Sequence, residues 1–320
     1  MTPSVTRREA QKEKNMPITI DQVIWTTDFS EAANRGLSYG VPLARHFQAN
    51  LCACHVLFVP RSTTMFGDVP LYSDSRRDQL RGEAQGQLEK LVAGLPLPCE
   101  ALVVEGNVAD EIARLAEERG AGLVIVATHG ASGVKRLVLG SVAERLIRIA
   151  PCPLLVLSAA ARHAPPGQPP AALFRRILVG CDFSPDGDLA VAFGFQLAQE
   201  FQSELHLVHV IEPAGYGADI IERALGENLG DLIRRRAREN LAERIPGSAA
   251  DWCTPRTALL EGRAHQELTA YAQGNQMDLV VLGVRGMNLL ESLLVGSTTD
   301  RVIRSASCPV LAVRSATTGT

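Results

Sequence analysis

Two segments of the 320-residue chain place glycine and serine at a spacing suited to holding an anion. In the C-terminal part, Gly283 and Gly286 are followed by nine residues and then by Gly296 and Ser297, which open a predicted helix. Glycine permits positive φ and close approach of the backbone, and a helix N-terminus offers unpaired N–H groups with partial positive charge. The pattern therefore predicts a phosphate-binding loop that needs no lysine.

The N-terminal part carries the same pattern with one change. Gly130, nine further residues, Gly140 and Ser141 repeat it, but Ala127 stands where the first glycine is expected. This methyl group either costs little, if Ala127 is in β conformation, or crowds a sugar packed on the backbone there. The alternative at both places is structural, with a glycine that ends one element and a serine that caps the next helix.

An aspartate and a valine also recur in both parts. Asp28 and Asp182 follow predicted first strands, each within the sequence Asp-Phe-Ser. Such an aspartate either caps the following helix or accepts a hydrogen bond from a base or sugar. Val56 and Val210 each follow a histidine on the second strand. Their backbone groups are candidates for contact with a heterocycle, whereas the histidines are predicted to pack internally.

These recurrences reflect a repeat that covers most of the chain. Segment 140–157 matches segment 296–313 at nine of eighteen positions, with an offset of 156 residues. The sequence between the two copies is rich in proline and alanine, which is typical of a linker. The predicted organisation is a disordered extension at 1–16, a first domain at 17–158, a linker at 159–172, a second domain at 173–314 and a tail at 315–320.

Each copy alternates short β-branched runs with longer helical patterns, which is typical of βαβ units around a parallel sheet. Predicted strands lie near 19–27, 51–59, 100–104, 122–127 and 153–157, and near 175–181, 205–211, 256–260, 278–283 and 309–313. Predicted helices include 31–47, 75–93, 108–119 and 141–149 in the first copy and 229–245 in the second. The fold class is therefore α/β, with two tandem doubly wound five-stranded sheets. In such sheets a ligand binds beyond the carboxyl ends of the strands, where the strand order reverses.

Composition excludes several classes of protein. With 46% apolar and 21% charged residues and a net charge of −3, the chain is neither fibrous nor wholly disordered, and it lacks the positive field that captures nucleic acid or anionic lipid. Seven scattered cysteines without a CxxC pair predict reduced core thiols. No apolar run reaches the ~20 residues that span a bilayer, and the N-terminus is not signal-like. We expect a cytoplasmic protein that binds neither nucleic acid nor membrane.

The motif G-x2-G-x9-G-[ST], together with the repeat, resembles the universal stress proteins in their tandem two-domain form. The resemblance implies strand order 3-2-1-4-5 in each Rossmann-like domain and pairing of the domains through their last strands, with a homodimer also possible. It implies an adenine nucleotide, ATP with Mg²⁺, as ligand. The adenine would be approached by Asp182 and Val210 or by Asp28 and Val56. Phosphates would be held by the glycine-serine segment together with Val142-Ala143 or Thr298-Thr299.

The expected function is a stress-response regulator in which nucleotide occupancy changes a conformation or the binding of an unidentified protein partner. The C-terminal copy has the complete motif. No catalytic residues are assigned, because nucleotidase, dehydrogenase, zinc-peptidase and hydrolase motifs are all absent from the sequence, and no metal ligands are assigned. Two alternatives stay open, a slow ATPase with Asp182 as base and a scaffold that binds no nucleotide.

Overall fold

The computed structural model describes most of the chain. Its residues are 18–59, 61–64, 67–70, 73–128, 139–158, 161, 173–212, 229–286 and 296–315. The predicted extension 1–16, the linker 159–172 apart from Ala161, and residues 316–320 of the predicted tail lie outside this part. Gly130 of the N-terminal motif also lies outside it.

The N-terminal half contains all five predicted strands. Its elements are β1 (Gln22–Thr26), α1 (Glu31–Asn34), α2 (Leu37–Phe47), β2 (Asn50–Leu57), β3 (Arg61–Thr64), β4 (Gly67–Pro70), α3 (Asp74–Val92), β5 (Cys99–Glu105), α4 (Val108–Glu118), β6 (Leu123–Ala127), α5 (Ser141–Ile149) and β7 (Leu154–Leu157). Strands β3 and β4 form a separate hairpin that the sequence did not predict.

The C-terminal half repeats this order without the hairpin in the part that the structure describes. Its elements are β8 (Arg176–Gly180), α6 (Pro185–Phe201), β9 (Glu204–Ile211), α7 (Leu229–Glu243), a 3₁₀ turn (Gly247–Asp251), β10 (Arg256–Glu261), α8 (Ala264–Gly274), β11 (Leu279–Gly283), α9 (Ser297–Ser305) and β12 (Val310–Val313). The predicted helix at 229–245 is thus confirmed as α7 with a slightly earlier end.

The main strands form one sheet of ten in the order β10-β9-β8-β11-β12-β7-β6-β1-β2-β5. Within each half the strands are parallel and follow the order 3-2-1-4-5, which confirms the predicted fold class. The halves join where β12 runs antiparallel to β7, with Leu311 opposite Leu155. The last strands of the two copies therefore pair within one chain.

Apolar residues on both faces of the sheet form two cores that continue across the junction between the halves. Parallel strands covered on both sides need this near-continuous apolar sequence. On one face, the Tyr39 ring stacks on Phe174 at 6.2 Å. Nearby, His46 stacks on Phe201 at 4.6 Å and its Nε2 lies 2.7 Å from Glu200 Oε1. Helices α2 and α6 thus hold the halves together on that face.

The single helix predicted over 31–47 is wrong, because the chain breaks it into α1 and α2. The Trp25 indole N–H donates to the Ala33 carbonyl at 2.9 Å and so competes for a helical acceptor. A Cβ at Gly36 would lie 2.6 Å from Trp25 Nε1, so this large ring fits only beside glycine. In the C-terminal half the aligned strand residue is Val179, and α6 runs unbroken.

Candidate functional site

The Asp-Phe-Ser segment after β8 is a tight turn into α6. Ser184 is the N-cap, and its Oγ accepts a hydrogen bond from the Gly187 N–H at 3.0 Å. Asp182 Oδ1 accepts from the Ser184 N–H at 3.1 Å and from its hydroxyl at 2.5 Å. Phe183 between them adopts φ 64°. Asp182 therefore does not cap the helix itself, but orients the serine that does.

The N-terminal half repeats this turn. Ser30 caps α1 by accepting from the Ala33 N–H at 3.2 Å, and Asp28 Oδ1 accepts from the Ser30 N–H at 3.0 Å. Phe29 adopts φ 65°. The two predicted aspartates thus occupy equivalent places at the carboxyl ends of β1 and β8.

A histidine on the second strand braces each turn. His209 Nδ1 lies 2.7 Å from the Cys181 carbonyl oxygen, and its ring stacks on Phe183 at 4.3 Å. A ring nitrogen facing a carbonyl must carry the proton. The corresponding contacts in the N-terminal half join His55 to Thr27 and Phe29. From the sequence, these histidines are predicted only to pack internally. Each follows its Asp-Phe-Ser segment by the same number of residues, and this repeated spacing could have indicated a shared role.

This brace predicts a pH dependence of stability. Burial lowers the pKa of His209 below its ordinary value of 6.5, although its bond to Cys181 acts in the opposite direction. The unfolded chain therefore takes up a proton at a higher pH than the folded chain, and stability is lost as pH falls below 6.5 towards the folded-state pKa.

We expect His209→Gln, which keeps a donor but does not titrate, to flatten this loss. Urea denaturation of both proteins between pH 7.5 and 5 measures it. If the two stability curves run parallel over that range, His209 is not the group responsible.

Val210 reaches the same edge of the sheet as Asp182. The Cys181 N–H donates to the Val208 carbonyl at 2.9 Å, and β9 continues past β8 to Ile211. Strand β9 thus extends beyond its neighbour beside the Asp182 turn. Val56 has the equivalent position on β2 and is buried.

The glycines of the C-terminal motif serve close contact and not unusual backbone conformation. None of Gly283, Gly286, Gly296 and, in the other half, Gly140 has positive φ, which corrects the sequence-based expectation. A Cβ at Gly283 would lie 2.5 Å from the carbonyl carbon of Asp186. The first glycine of the motif therefore allows β11 to pack against the start of α6.

The next two glycines surround the site itself. A Cβ at Gly286 would lie 2.8 Å from Asp182 Oδ2, so the loop after β11 lies directly against the aspartate. The Gly296 N–H donates to the Val284 carbonyl at 2.8 Å, and a Cβ there would lie 3.8 Å from the Gly286 nitrogen. Asp182, Gly286 and Gly296 therefore form one continuous surface.

Helix α9 begins at this surface without a capping side chain among the described residues. Gly296 is the N-cap and Ser297 the first helical residue, so the structural alternative of a capping serine is not observed. Thr298 is the second residue of the helix. Buried Thr299 donates its hydroxyl to the Gly283 carbonyl at 2.7 Å, which ties α9 to β11.

The N-terminal half has the same helix start in a simpler form. Gly140 is the N-cap of α5, again without a side-chain cap, and its N–H donates to the Thr128 carbonyl at 2.8 Å. Ser141 and Val142 open the helix, and buried Ala143 occupies the place of Thr299 without a hydroxyl. Ala127 ends β6.

The two helix starts lie at the topological switch points of their halves. Strands β8 and β11 are neighbours although they are the first and fourth main strands of the C-terminal half, as are β1 and β6 in the N-terminal half. Ligands of open α/β sheets bind in such crevices. The predicted residues are thus brought to the edge that the topology favours, except for Gly130, which lies outside the described residues.

The described residues contain no group of three or more His, Cys, Asp or Glu side chains that could hold a metal. All seven cysteines are free thiols, but only five are buried as predicted, because Cys99 and Cys253 are partly exposed. Burial raises the pKa of Cys54 to about 12. None of the described helices combines the length and apolar character needed to cross a membrane.

Comparison with known proteins identifies the family. The model of the universal stress protein family matches residues 19–158 and again 173–314. A universal stress protein of Thermus aquaticus is 33% identical over 144 residues, which cover 44% of this chain and 100% of that protein. One of Mycolicibacterium smegmatis is 27% identical over 231 residues, covering 71% of this chain and 74% of that one.

The likeness extends to a solved structure that this chain matches over almost its whole length. The crystal structure of a universal stress protein from Archaeoglobus fulgidus superposes with a TM-score of 0.64 at 20% identity, covering 92% of this chain and 98% of that chain. This match concerns the fold alone. The repeated family match, the 3-2-1-4-5 order in both halves and the paired last strands agree, and the chain belongs to the universal stress protein family in its tandem form.

Proposed function

We propose that the C-terminal half, residues 173–314, binds an adenine nucleotide, ATP with Mg²⁺. The observation that supports this most directly is the start of α9, which has no side-chain cap among the described residues and adjoins Gly286 at the switch point. N–H groups of a first helical turn bind phosphate oxygens well, because they need acceptors and carry partial positive charge. Ser297 and Thr298 would supply these donors.

The adenine end of the ligand would lie against Asp182 and Val210. Asp182 is held by its bonds from Ser184, and its second oxygen faces Gly286. Val210 offers the backbone groups of a strand that extends past its neighbour β8. Ligand pockets fix the orientation of their ligand with a small number of placed polar groups, including backbone N–H and C=O groups and charged side chains.

Mg²⁺ would be held mainly by the nucleotide. Magnesium is commonly bound through substrate phosphates with only one or two protein carboxylates, and the described residues include no larger cluster of possible ligands. Asp182 is an acidic side chain at this edge that could contribute one such carboxylate. The metal would neutralise phosphate charge while the helix start and glycine loop hold the oxygens.

We propose a second, weaker site in the N-terminal half, residues 17–158. Its candidate residues are Asp28, Val56, Ala127, Gly130, Gly140, Ser141, Val142 and Ala143. The uncapped start of α5 supports it. Two differences from the C-terminal half weaken it. Ala143 lacks the hydroxyl by which Thr299 ties its helix to the neighbouring strand, and Ala127 adds a methyl group where the C-terminal half has Gly283.

Occupancy of these sites would regulate a stress response by changing a conformation or the binding of a protein partner. The paired halves form one continuous ten-stranded sheet, and a change at the loop after β11 would alter the surface offered to a partner at the carboxyl edge of that half. Free thiols in the core fit the reducing cytoplasm as the place of action.

Native mass spectrometry of freshly purified protein, followed by release of bound small molecules and titration with ATP and Mg²⁺, tests the proposal. One ATP per chain supports the C-terminal site, and two would show that the N-terminal half also binds. If no nucleotide binds even at saturating ATP, the proposal is wrong and the scaffold alternative stands. Release of phosphate during the same titration would indicate the ATPase alternative.

A further inference from the structure

A buried carboxylate lies beneath the glycine loop of the C-terminal half. Asp186, in the first turn of α6, is only 2% exposed. Its Oδ2 accepts from the Arg285 N–H and Nε, both at 3.1 Å, and its Oδ1 accepts from Arg285 Nη2 at 3.4 Å. Oδ1 also accepts from the Ser315 N–H at 3.1 Å and from the Ser315 hydroxyl at 2.9 Å.

These contacts join three segments that are remote in sequence. Arg285 lies inside the Gly-x2-Gly loop, and Ser315 lies two residues beyond the end of β12. The two partners also contact each other, because Arg285 Nη2 donates to the Ser315 hydroxyl oxygen at 2.7 Å. The Ser184 hydroxyl lies 3.1 Å from the Arg285 carbonyl oxygen, which holds the loop from the other side.

The carboxylate is charged in this environment. Burial alone would raise the pKa of Asp186, but hydrogen bonds from Arg285 and Ser315 lower it below its ordinary value. A buried carboxylate with five donors is a costly and specific arrangement, since removing one partner leaves the other uncompensated. The Arg285 side chain is thereby directed towards this carboxylate and the Ser315 segment.

The N-terminal half lacks this arrangement. The residue aligned with Asp186 is Ala32, which offers no acceptor. The Asp186–Arg285 contact is therefore a property of the half whose glycine motif is complete. The N-terminal half reaches the same strand order without an equivalent carboxylate, so the fold does not require this contact.

We propose that Asp186 is a positioning residue for the C-terminal nucleotide site, an inference that rests on the proposed function. It fixes Arg285, and with it the adjoining Gly286, in the position that receives phosphate groups. Through Ser315 it also couples the segment after β12 to that loop. Its hydrogen bonds go to Arg285 and Ser315 and not to Asp182 or Val210, so its loss should affect the phosphate end of the site more than the adenine end.

The test compares ATP with adenosine binding by calorimetry in wild type and Asp186→Asn. Loss of the charge should lower ATP affinity about tenfold, because it weakens several charge-assisted bonds to the loop, and should change adenosine affinity less than about twofold. The matched control is Glu200→Gln, at the opposite end of the same helix, whose partner is His46. This control should leave both affinities unchanged.

Ser315→Ala keeps the N–H contact and is expected to lower ATP affinity by about two- to threefold, which keeps the inference testable if Asp186→Asn folds poorly. Equal losses for ATP and adenosine would assign Asp186 a merely structural role and overturn the inference. An unchanged or raised ATP affinity in the folded variants would also overturn the inference about Asp186. It would not contradict the proposed nucleotide binding. Absence of ATP binding in the wild type would overturn both.

Discussion

Gly296→Val is expected to lower the ATP affinity of the C-terminal half by at least about 100-fold, because two or more phosphate contacts are lost together. The valine side chain would occupy the start of α9, where the first-turn N–H groups open onto the surface shared with Gly286. Phosphate oxygens could then no longer approach the backbone. Titration calorimetry with ATP and Mg²⁺ measures the change.

The fold should survive this substitution. Gly296 has φ −56° and ψ 133°, a conformation open to valine, and an added Cβ would lie 3.1 Å from the Val284 carbonyl oxygen, so a shift of a few tenths of an ångström suffices. Gly247→Val, at a position with nothing within 4 Å of an added Cβ, is the control and should bind ATP normally. A folded Gly296→Val protein with unchanged affinity would contradict the proposed phosphate site.

Gly283→Ala is expected to destabilise the chain by about 2–3 kcal/mol, the cost of overpacking a rigid contact. The added methyl would lie 2.5 Å from the carbonyl carbon of Asp186, 2.7 Å from its oxygen and 2.8 Å from the Gly187 nitrogen. All three are backbone atoms, so β11 and α6 must separate. Urea denaturation of the wild type and the variant measures the free energy of unfolding.

The matched change in the other half is Ala127→Gly. There the natural residue already carries a methyl, and the short α1 makes few contacts with β6, whereas α6 packs closely on β11. This substitution should cost only about 0.4–1 kcal/mol, through the greater freedom of glycine in the unfolded chain. If Gly283→Ala unfolds at the same urea concentration as wild type, the glycine serves the ligand and not the packing.

Much of the architecture was predictable because it depends on local pattern. Apolar runs bounded by turns located all ten strands of the main sheet, and the matching segments 140–157 and 296–313 revealed the repeat. The 3-2-1-4-5 order and the pairing through β7 and β12 came from resemblance to a family, since strand spacing alone does not determine which neighbours pair.

Contacts between remote residues required the tertiary structure. Trp25 breaks the first helix by competing for the Ala33 carbonyl. Helix propensities cannot predict this break, because they describe single residues and not contacts with a neighbouring strand. The sequence pattern predicts that Gly283 belongs to a ligand loop, and only the folded chain shows that the atoms nearest to an added Cβ there belong to α6. The hydrogen bonds of Asp186 join positions about a hundred residues apart, and no periodic pattern records them.

By itself, therefore, the amino-acid sequence determined the two copies, their strands and the residues at the carboxyl edge, because hydrophobic period and glycine spacing act over short distances. The folded chain alone decided which of those residues contact each other and which serve packing. A glycine can be required by a neighbouring backbone, or a carboxylate shared by two segments, only after the folded chain has brought those segments together. Gly286, which lies against Asp182, is one example.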